Sequence, residues 1–195
     1  MNEPRTPHPY VSGRFSDVLE MVRPSRERLD VPSLSRGYTL RSFRGGDELA
    51  YDELFRLAWP DVGTLAHTRA HALPSGFLVV EHDATAQLVA SCVAFEPESR
   101  RHAVDGGLGW LVVDPAHGRR GLGRVVASAV TNRLVEQGYA VPWLQTEDDR
   151  GVAIAIYLDL GWQPHVYAEG MEARWGEIFA GLGRKFSLSD CVSGA

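Results

Sequence analysis

The chain has 195 residues, and its 25 acidic and 20 basic side chains leave a formal net charge of −5 at pH 7. Hydrophobic residues make up 44% and charged residues 23% of the chain, which are ordinary values for one globular domain and exclude extensive disorder and fibrous architecture. The acidic balance argues against binding to a phosphate backbone, so we expect no nucleic-acid partner.

Targeting signals and structural cysteines are not evident in the sequence. No apolar run approaches the roughly 20 residues of a membrane helix, and the proline-containing start lacks the apolar core of a signal peptide. Two cysteines, Cys92 and Cys191, cannot build a disulfide framework. We therefore expect a cytoplasmic protein without a membrane partner.

Residues 1–37 differ from the rest of the chain, because prolines recur through them together with serine and glycine. We interpret this stretch as an N-terminal arm. Its apolar residues over 15–22 have helical spacing and predict one short helix. Residues 38–195 are predicted to form a single domain.

Regular patterns begin after the arm. Alternation of apolar and polar residues predicts a first strand over 38–43, and a helix follows from Gly45 through Ala58 with Leu49 on its apolar face. Further strands are predicted at 76–82, 87–95, 108–113 and 141–146, and helices at 122–138, 149–160 and 171–182. The order β-α-β-β-β-α-β-α indicates a mixed α/β domain.

The most informative segment is the glycine-arginine cluster that follows the fourth strand, Gly118-Arg119-Arg120-Gly121-Leu122-Gly123-Arg124. Free amides at the start of a helix, the helix dipole and three arginines predict an anion site, most simply for a pyrophosphate. The segment has neither the Lys of a P-loop nor the third glycine of a dinucleotide fingerprint. A plain glycine-rich turn with solvated arginines is the alternative.

Two motifs together resemble the GNAT superfamily of acyl-CoA-dependent N-acyltransferases. Val113-Asp114-Pro115 followed by the glycine cluster is similar to the central motif of that family, and the segment from Ala153 to Trp162 is similar to its second motif. The resemblance covers residues 38–165. It implies an α+β fold with a mostly antiparallel central sheet, flanked by helices and splayed between its fourth and fifth strands, with acyl-CoA in the cleft.

The resemblance also implies roles for individual residues. Tyr157 would protonate the leaving thiolate, and an amide near Val113 would polarise the thioester carbonyl. From periodicity alone, Tyr157 would be a core aromatic. The implied cofactor contacts are Leu111, Val112 and Val113 for the pantetheine arm, and Gly118, Arg119, Arg120, Gly121, Leu122, Gly123 and Arg124 for the pyrophosphate.

The sequence departs from the family pattern at three positions. Gly118 stands where the family usually has Arg or Gln, and Arg150 replaces a frequent asparagine; Arg150 would either reach the cofactor or lie on the surface. Gln145 replaces a fifth-strand acid that some members use as base, which leaves the base open. The candidates are Glu96, Glu98, Glu147, Asp148 and His102.

These patterns favour an acetyl-CoA-dependent N-acetyltransferase that acts on a primary amine by direct attack in a ternary complex. A catalytically inactive CoA-binding module and a nucleotide-binding enzyme are the alternatives.

We expect a small-molecule or peptide acceptor with Trp59 or Trp110 in its pocket. The acids at 96, 98, 147, 148 and 149 suggest that this acceptor is cationic. We expect no metal, because metal-ligand spacing is absent, and the architecture is compatible with a homodimer.

Overall fold

The computed structural model of the chain describes residues 18–63, 65–97 and 102–193. The strands are β1 Leu19–Val22, β2 Tyr38–Ser42, β3 Ala72–His82, β4 Gln87–Phe95, β5 Gly107–Val113, β6 Trp143–Thr146, β7 Gln163–Val166 and β8 Val192–Ser193. The helices are α1 Glu48–Arg56, α2 Leu65–His71, α3 Leu122–Glu136, α4 Gly151–Asp159 and α5 Met171–Gly181. Within these described residues, no helix is long and apolar enough to cross a membrane.

All eight strands belong to one sheet with the order β2-β3-β4-β5-β6-β1-β7-β8. Neighbouring strands are antiparallel except for the pairs β5–β6 and β7–β8, which are parallel. Helices α3, α4 and α5 pack against one face through a large apolar cluster, and α1 packs against the other face through a smaller aromatic one. The predicted fold, a mostly antiparallel mixed sheet flanked by helices, is confirmed.

The strands β5 and β6 separate from each other almost as soon as they pair. Their register contains only Gly107 opposite Trp143 and Leu108 opposite Leu144. Pro142 was expected inside β6 but lies just before it, where its carbonyl accepts the amide of Arg23 at 2.8 Å. The gap between these strands, which we call the cleft, opens beyond Leu108.

The helix predicted over residues 15–22 is wrong where the structure describes it. Leu19–Val22 is strand β1, which inserts between β6 and β7 and is antiparallel to both, while residues 15–17 lie outside the described residues. All four residues of β1 are buried. Part of the predicted arm therefore lies within the central sheet, and pairing on both edges, which no local pattern reports, decides its conformation.

Apolar spacing predicts that Leu49 in α1 and Val152 in the helix expected over 149–160 face the core, but both lie on the surface. Leu49 is 80% exposed and Val152 is 81% exposed. In α1 the inward position is taken by Tyr51, and in α4 by Ile154 and Tyr157. The periodicity predicted both helices correctly but assigned one surface residue in each of them to the apolar face.

Arg23 anchors the end of β1. Its side chain is 3% exposed, and its guanidinium donates to the carbonyls of Leu160 at 3.0 Å and Glu27 at 2.9 Å, as well as to that of Ser25. The contact with Leu160 joins the end of α4 to β1. This network fixes the inserted strand against the helix that carries Tyr157.

We expect Arg23→Ala to lower the free energy of unfolding by about 2–3 kcal/mol, because charged hydrogen bonds are lost and the buried carbonyl of Leu160 remains without a donor. Arg26→Ala is the matched control, since Arg26 is exposed, and it should change stability by less than about 0.5 kcal/mol. Urea unfolding measures both. Equal stabilities of the two variants would contradict this account of the anchor.

A buried carboxylate lies in the middle of β1. Glu20 is 1% exposed, and its Oε2 accepts hydrogen bonds from Nε2 of His102 at 3.2 Å and Nδ1 of His165 at 3.1 Å, while Nε2 of Gln145 donates to Oε1 at 3.3 Å. Burial by itself raises the pKa of Glu20, but the hydrogen bonds from the two histidines and from Gln145 outweigh it and hold the pKa at about 2. Glu20 is therefore an ionised carboxylate in the folded protein.

Because the folded pKa of Glu20 lies below the ordinary value of 4.5, its ionised form stabilises the fold above that value and this contribution is lost as pH falls toward 2. The stability difference between the parent protein and Glu20→Gln should shrink by about 2 kcal/mol between pH 7 and pH 3. Urea unfolding at both pH values tests this. A difference that is independent of pH would contradict it.

Candidate active site

The glycine cluster forms an open loop between β5 and α3. The carboxylate of Asp114 caps a short 3-10 turn over Pro115–His117 by accepting the amide of Ala116 at 2.8 Å. The first backbone bond of α3 runs from the Val125 amide to the Gly121 carbonyl at 3.0 Å. Within the described residues, none of the six amides from 119 to 124 has a protein acceptor. Six consecutive free donors at a helix start are suited to bind an anion.

The two positions that open α3 require glycine for different structural reasons. Gly121 has φ +75°, a left-handed conformation that glycine adopts without strain, and a Cβ there would meet open space. A Cβ on Gly123 would lie 3.2 Å from Ile156 and 3.3 Å from Val113. Gly123 therefore allows α3 to approach β5 and α4, rather than making room for a phosphate.

The arginines of the loop divide into two kinds. Arg124 pairs with Asp159 at 3.1 Å, and Asp159 also pairs with Arg184 at 2.6 Å, so this arginine links α3 to the end of α4. Arg119 and Arg120 are exposed. In the part of the chain that the structure describes, neither has a carboxylate partner, so their charge is available to a bound anion.

Strand β5, which borders the cleft, contains a bulge in its pairing with β4. Ser91 is opposite Val112 and Val93 is opposite Gly109, which leaves one extra residue on β5. Trp110 lies within this bulge and has a φ of +54°. Since peptide groups alternate along an antiparallel ladder, those of Leu111 and Val113 point into the cleft and those of Val112 toward β4.

Tyr157 is buried in the apolar cluster that packs α4 against the sheet. Its side chain is 5% exposed, and burial raises the pKa of its phenol well above 10, with Cys92 adding to the rise and Arg150 opposing it. The phenol is therefore protonated and can donate a hydrogen bond. Cys92 is fully buried, as expected of a small apolar residue, and burial also raises the pKa of its thiol, which makes it a poor nucleophile.

Aromatic rings and an arginine line the other side of the bulge. The rings of Trp59 and Trp110 are 5.2 Å apart, and the guanidinium of Arg150 lies 5.1 Å from the centre of the Trp59 ring. The structure thus brings both predicted pocket tryptophans together. Arg150 reaches from the start of α4 to the end of α1, and also pairs with Glu147 at 3.2 Å.

Acidic side chains near the cleft do not form a free negative patch. Glu147 and Asp149 pair with Arg150 at 3.2 and 3.8 Å, and Asp148 pairs with Arg174 at 2.8 Å. Glu96 is exposed, and residue 98 lies outside the described residues. The structure therefore removes the charge argument for a cationic acceptor, because arginines compensate the acids at 147, 148 and 149.

His117 and the buried histidines occupy different environments. His117, at the edge of the glycine loop, accepts or donates a hydrogen bond with the Tyr38 hydroxyl at 2.9 Å, as befits a loop residue. Glu20, His102 and His165 bring three potential ligand atoms within 4.8 Å of one another, although these residues show no metal-ligand spacing in the sequence. His102 was predicted only as a separate candidate base, and no sequence signal identifies this cluster.

Comparisons with known proteins bear on the same region. A family model of FR47-like proteins matches residues 80–169. Mycothiol acetyltransferase of Kocuria rhizophila is 28% identical in an alignment 163 residues long. This alignment covers 75% of this chain and 54% of that protein. The chain thus spans about half the length of this curated relative.

Solved structures share the fold. A GCN5-related N-acetyltransferase from Sphaerobacter thermophilus has a TM-score of 0.61 at 21% identity, covering 76% of this chain and 48% of that one. The YncA protein of Salmonella typhimurium, solved with its cofactor acetyl-CoA, has a TM-score of 0.54 at 21% identity, covering 65% of this chain and 79% of that one. At these identities the similarity concerns the fold.

The matched family segment runs from β3 past β7 and so includes the bulge, the glycine loop and Tyr157. An acetyltransferase relative extends over three quarters of the chain, and the solved neighbours have the same sheet with its helices. Family model, relative and solved structures thus agree on the same region of the chain, which is similar in sequence to an acetyltransferase over three quarters of its length and shares the fold of solved N-acetyltransferases.

Proposed function

We propose that the protein transfers the acetyl group of acetyl-CoA to a primary amine by direct attack in a ternary complex. The observation that carries this proposal is the row of six free amides at the start of α3, directly beside the cleft between β5 and β6. A cofactor with a pyrophosphate and an extended arm suits this arrangement, because the loop offers donors for the phosphates and the strand edge offers peptide groups for the arm.

In this proposal the amides of residues 119–124 bind the pyrophosphate, and Arg119 and Arg120 add positive charge. The pantetheine amides pair with the cleft-facing peptide groups of Leu111 and Val113. Val112 contributes packing instead of hydrogen bonds, because its peptide groups face β4. Arg150, at the start of α4, lies against the ring of Trp59. We therefore assign it to the acceptor side of the cleft.

The chemistry follows from the bulge and from Tyr157. We place the thioester carbonyl at the amide of Leu111, next to the bulge, where a donor would stabilise the negative charge of the tetrahedral intermediate. The neutral amine attacks the carbonyl carbon, the C–S bond breaks, and the thiolate takes a proton from Tyr157. Positioning of the two substrates supplies much of the rate enhancement.

The acceptor would enter beside Trp59 and Trp110, from the face of the sheet opposite α3. Two tryptophan rings offer apolar contact to the acceptor. A small-molecule amine and a peptide N-terminus both fit this description. Release of CoA thiol with a panel of such amines tests the proposal, and binding of acetyl-CoA without transfer to any of them would favour an inactive CoA-binding module.

We expect Tyr157→Phe to lower kcat about 100-fold, because the thiolate loses its proton donor, while the Kd for acetyl-CoA changes less than about threefold. Tyr139→Phe is the matched control and should keep full turnover. Since burial raises the pKa of Tyr157, the parent enzyme should show no alkaline loss of kcat from this residue below pH 10. Full turnover by Tyr157→Phe would withdraw its assignment.

A second prediction compares the two ends of α3. Gly121 and Gly138 have φ of +75° and +82°, and a Cβ at either would meet nothing within 4 Å. Alanine should therefore cost a similar strain of about 1–2 kcal/mol at each position. Gly121→Ala should also weaken acetyl-CoA binding at least tenfold by displacing the amides, whereas Gly138→Ala should not. Calorimetry that finds the same Kd for both variants would speak against the loop as the phosphate site.

A further inference from the structure

The buried cluster of Glu20, His102, His165 and Gln145 lies next to the cleft. Continuing the parallel register of β5 and β6 beyond Leu108 places Gln145 across the cleft from Gly109, at the start of the bulge. Gln145 pairs with Glu20 on β1, and Glu20 pairs with His165 on β7. Because residues directly opposite on neighbouring strands share a face, these three side chains form one row that leads away from the cleft.

The proposed reaction needs a proton acceptor, since a primary alkylamine is protonated at neutral pH and has no lone pair for attack. The carboxylates around the cleft are poorly suited to this task. Glu96 is exposed, and Glu147 and Asp148 are half exposed and engaged by Arg150 and Arg174. His102 differs from them, because it is 8% exposed and contacts Glu20 of this row directly.

The tautomer of His102 follows from its partner. An ionised Glu20 can only accept hydrogen bonds, so Nε2 of His102 carries the proton that it donates to Oε2 at 3.2 Å. The other ring nitrogen, Nδ1, then has a lone pair. The ring is held by stacking on Trp143, with 5.2 Å between centroids and an interplanar angle of 9°. A histidine oriented by a carboxylate in this way is prepared to accept a proton.

We propose that His102 is the group that takes the proton from the acceptor amine, and that Glu20, contributed by the inserted strand β1, is its positioning residue. This inference rests on the proposed function. Nδ1 takes one proton from the ammonium, directly or through a water. The freed lone pair forms the new C–N bond, the C–S bond breaks, and the thiolate receives its proton from Tyr157. Tyr157 regains a proton from the attacking nitrogen, and His102 releases the other to solvent.

In the described part of the chain, the environment of His102 contains one carboxylate and one further histidine. The charged and titratable groups that face it are Glu20 from β1 and His165 from β7, with the neutral Gln145 from β6. In its own loop, the Oδ1 of Asp105 accepts the amides of Ala140 and Val141, both at 3.0 Å. The negative charge of Glu20 thus lies in direct contact with the imidazolium that forms.

The test measures kcat/KM against pH with the full-length protein, using two acceptors. One is the best alkylamine or peptide amine from the panel, which is protonated at pH 7, and the other is aniline, which is neutral at that pH. His102→Gln should lose about 100-fold in kcat/KM with the protonated amine but less than about threefold with aniline, and its kcat/KM with the protonated amine should rise with pH up to the pKa of that amine, because only the neutral amine then reacts. Glu20→Gln should also lose kcat/KM with the protonated amine and keep it with aniline, because the imidazolium that forms loses its counter-charge.

His165→Gln is the matched control. His165 donates to the same oxygen of Glu20, is as well buried as His102, and lies on β7, with β1 between it and the β6 edge of the cleft. Its variant should lose a similar amount of stability in urea unfolding and keep kcat/KM with the protonated amine. A merely structural cluster would instead give the same pH profile for the parent and all three variants, which would overturn the proposal.

Two further outcomes separate this inference from others. Copurification of one equivalent of zinc that requires both histidines, measured by elemental analysis, would replace the proton acceptor by a metal site and overturn the inference. Binding of acetyl-CoA with no transfer to either class of amine would overturn the proposed function itself. Transfer by the parent protein together with an unchanged profile for His102→Gln would overturn the inference alone.

Discussion

The architecture depends on how strand β6 is held. On one edge it pairs with β5 over two residues, whereas on the other it pairs with β1 along all four of its residues. The direction of β6 is therefore set by the inserted strand, which Arg23 ties to the end of α4. As a result β5 and β6 part, and the free edge of β5 and the open amides of α3 border the same gap.

The local part of this arrangement could be predicted from the sequence. The limits of β4 follow from an apolar run between two polar turns, and the predicted 87–95 matches the structure. Gly121 was singled out as part of the glycine cluster, and its left-handed conformation, which the structure shows, explains why glycine occupies this position. The two motifs lie on consecutive elements around one cleft, which is why a resemblance carried by short segments predicted the mixed sheet and its flanking helices correctly.

The part that depends on distant pairing could not be predicted. Glu20 contacts His102 and His165, which are 82 and 145 residues away in the chain. In addition, strand β1 has only four residues, and so short a segment shows no periodicity that distinguishes a strand from a helical turn. The acids after β6 looked free in the sequence but are paired with Arg150 and Arg174. Side-chain partners across the sheet, rather than composition, decide which charges remain available to a substrate.

The central claim is that the cleft between β5 and β6 binds a CoA thioester. Thermal unfolding with saturating acetyl-CoA, compared with desulfo-CoA, ATP and NADH, tests it most directly. A ligand at 100 times its Kd adds about 2.7 kcal/mol to the free energy of unfolding, and we predict a corresponding rise in Tm with the CoA compounds alone. No rise with acetyl-CoA, or an equal rise with ATP or NADH, would contradict the claim.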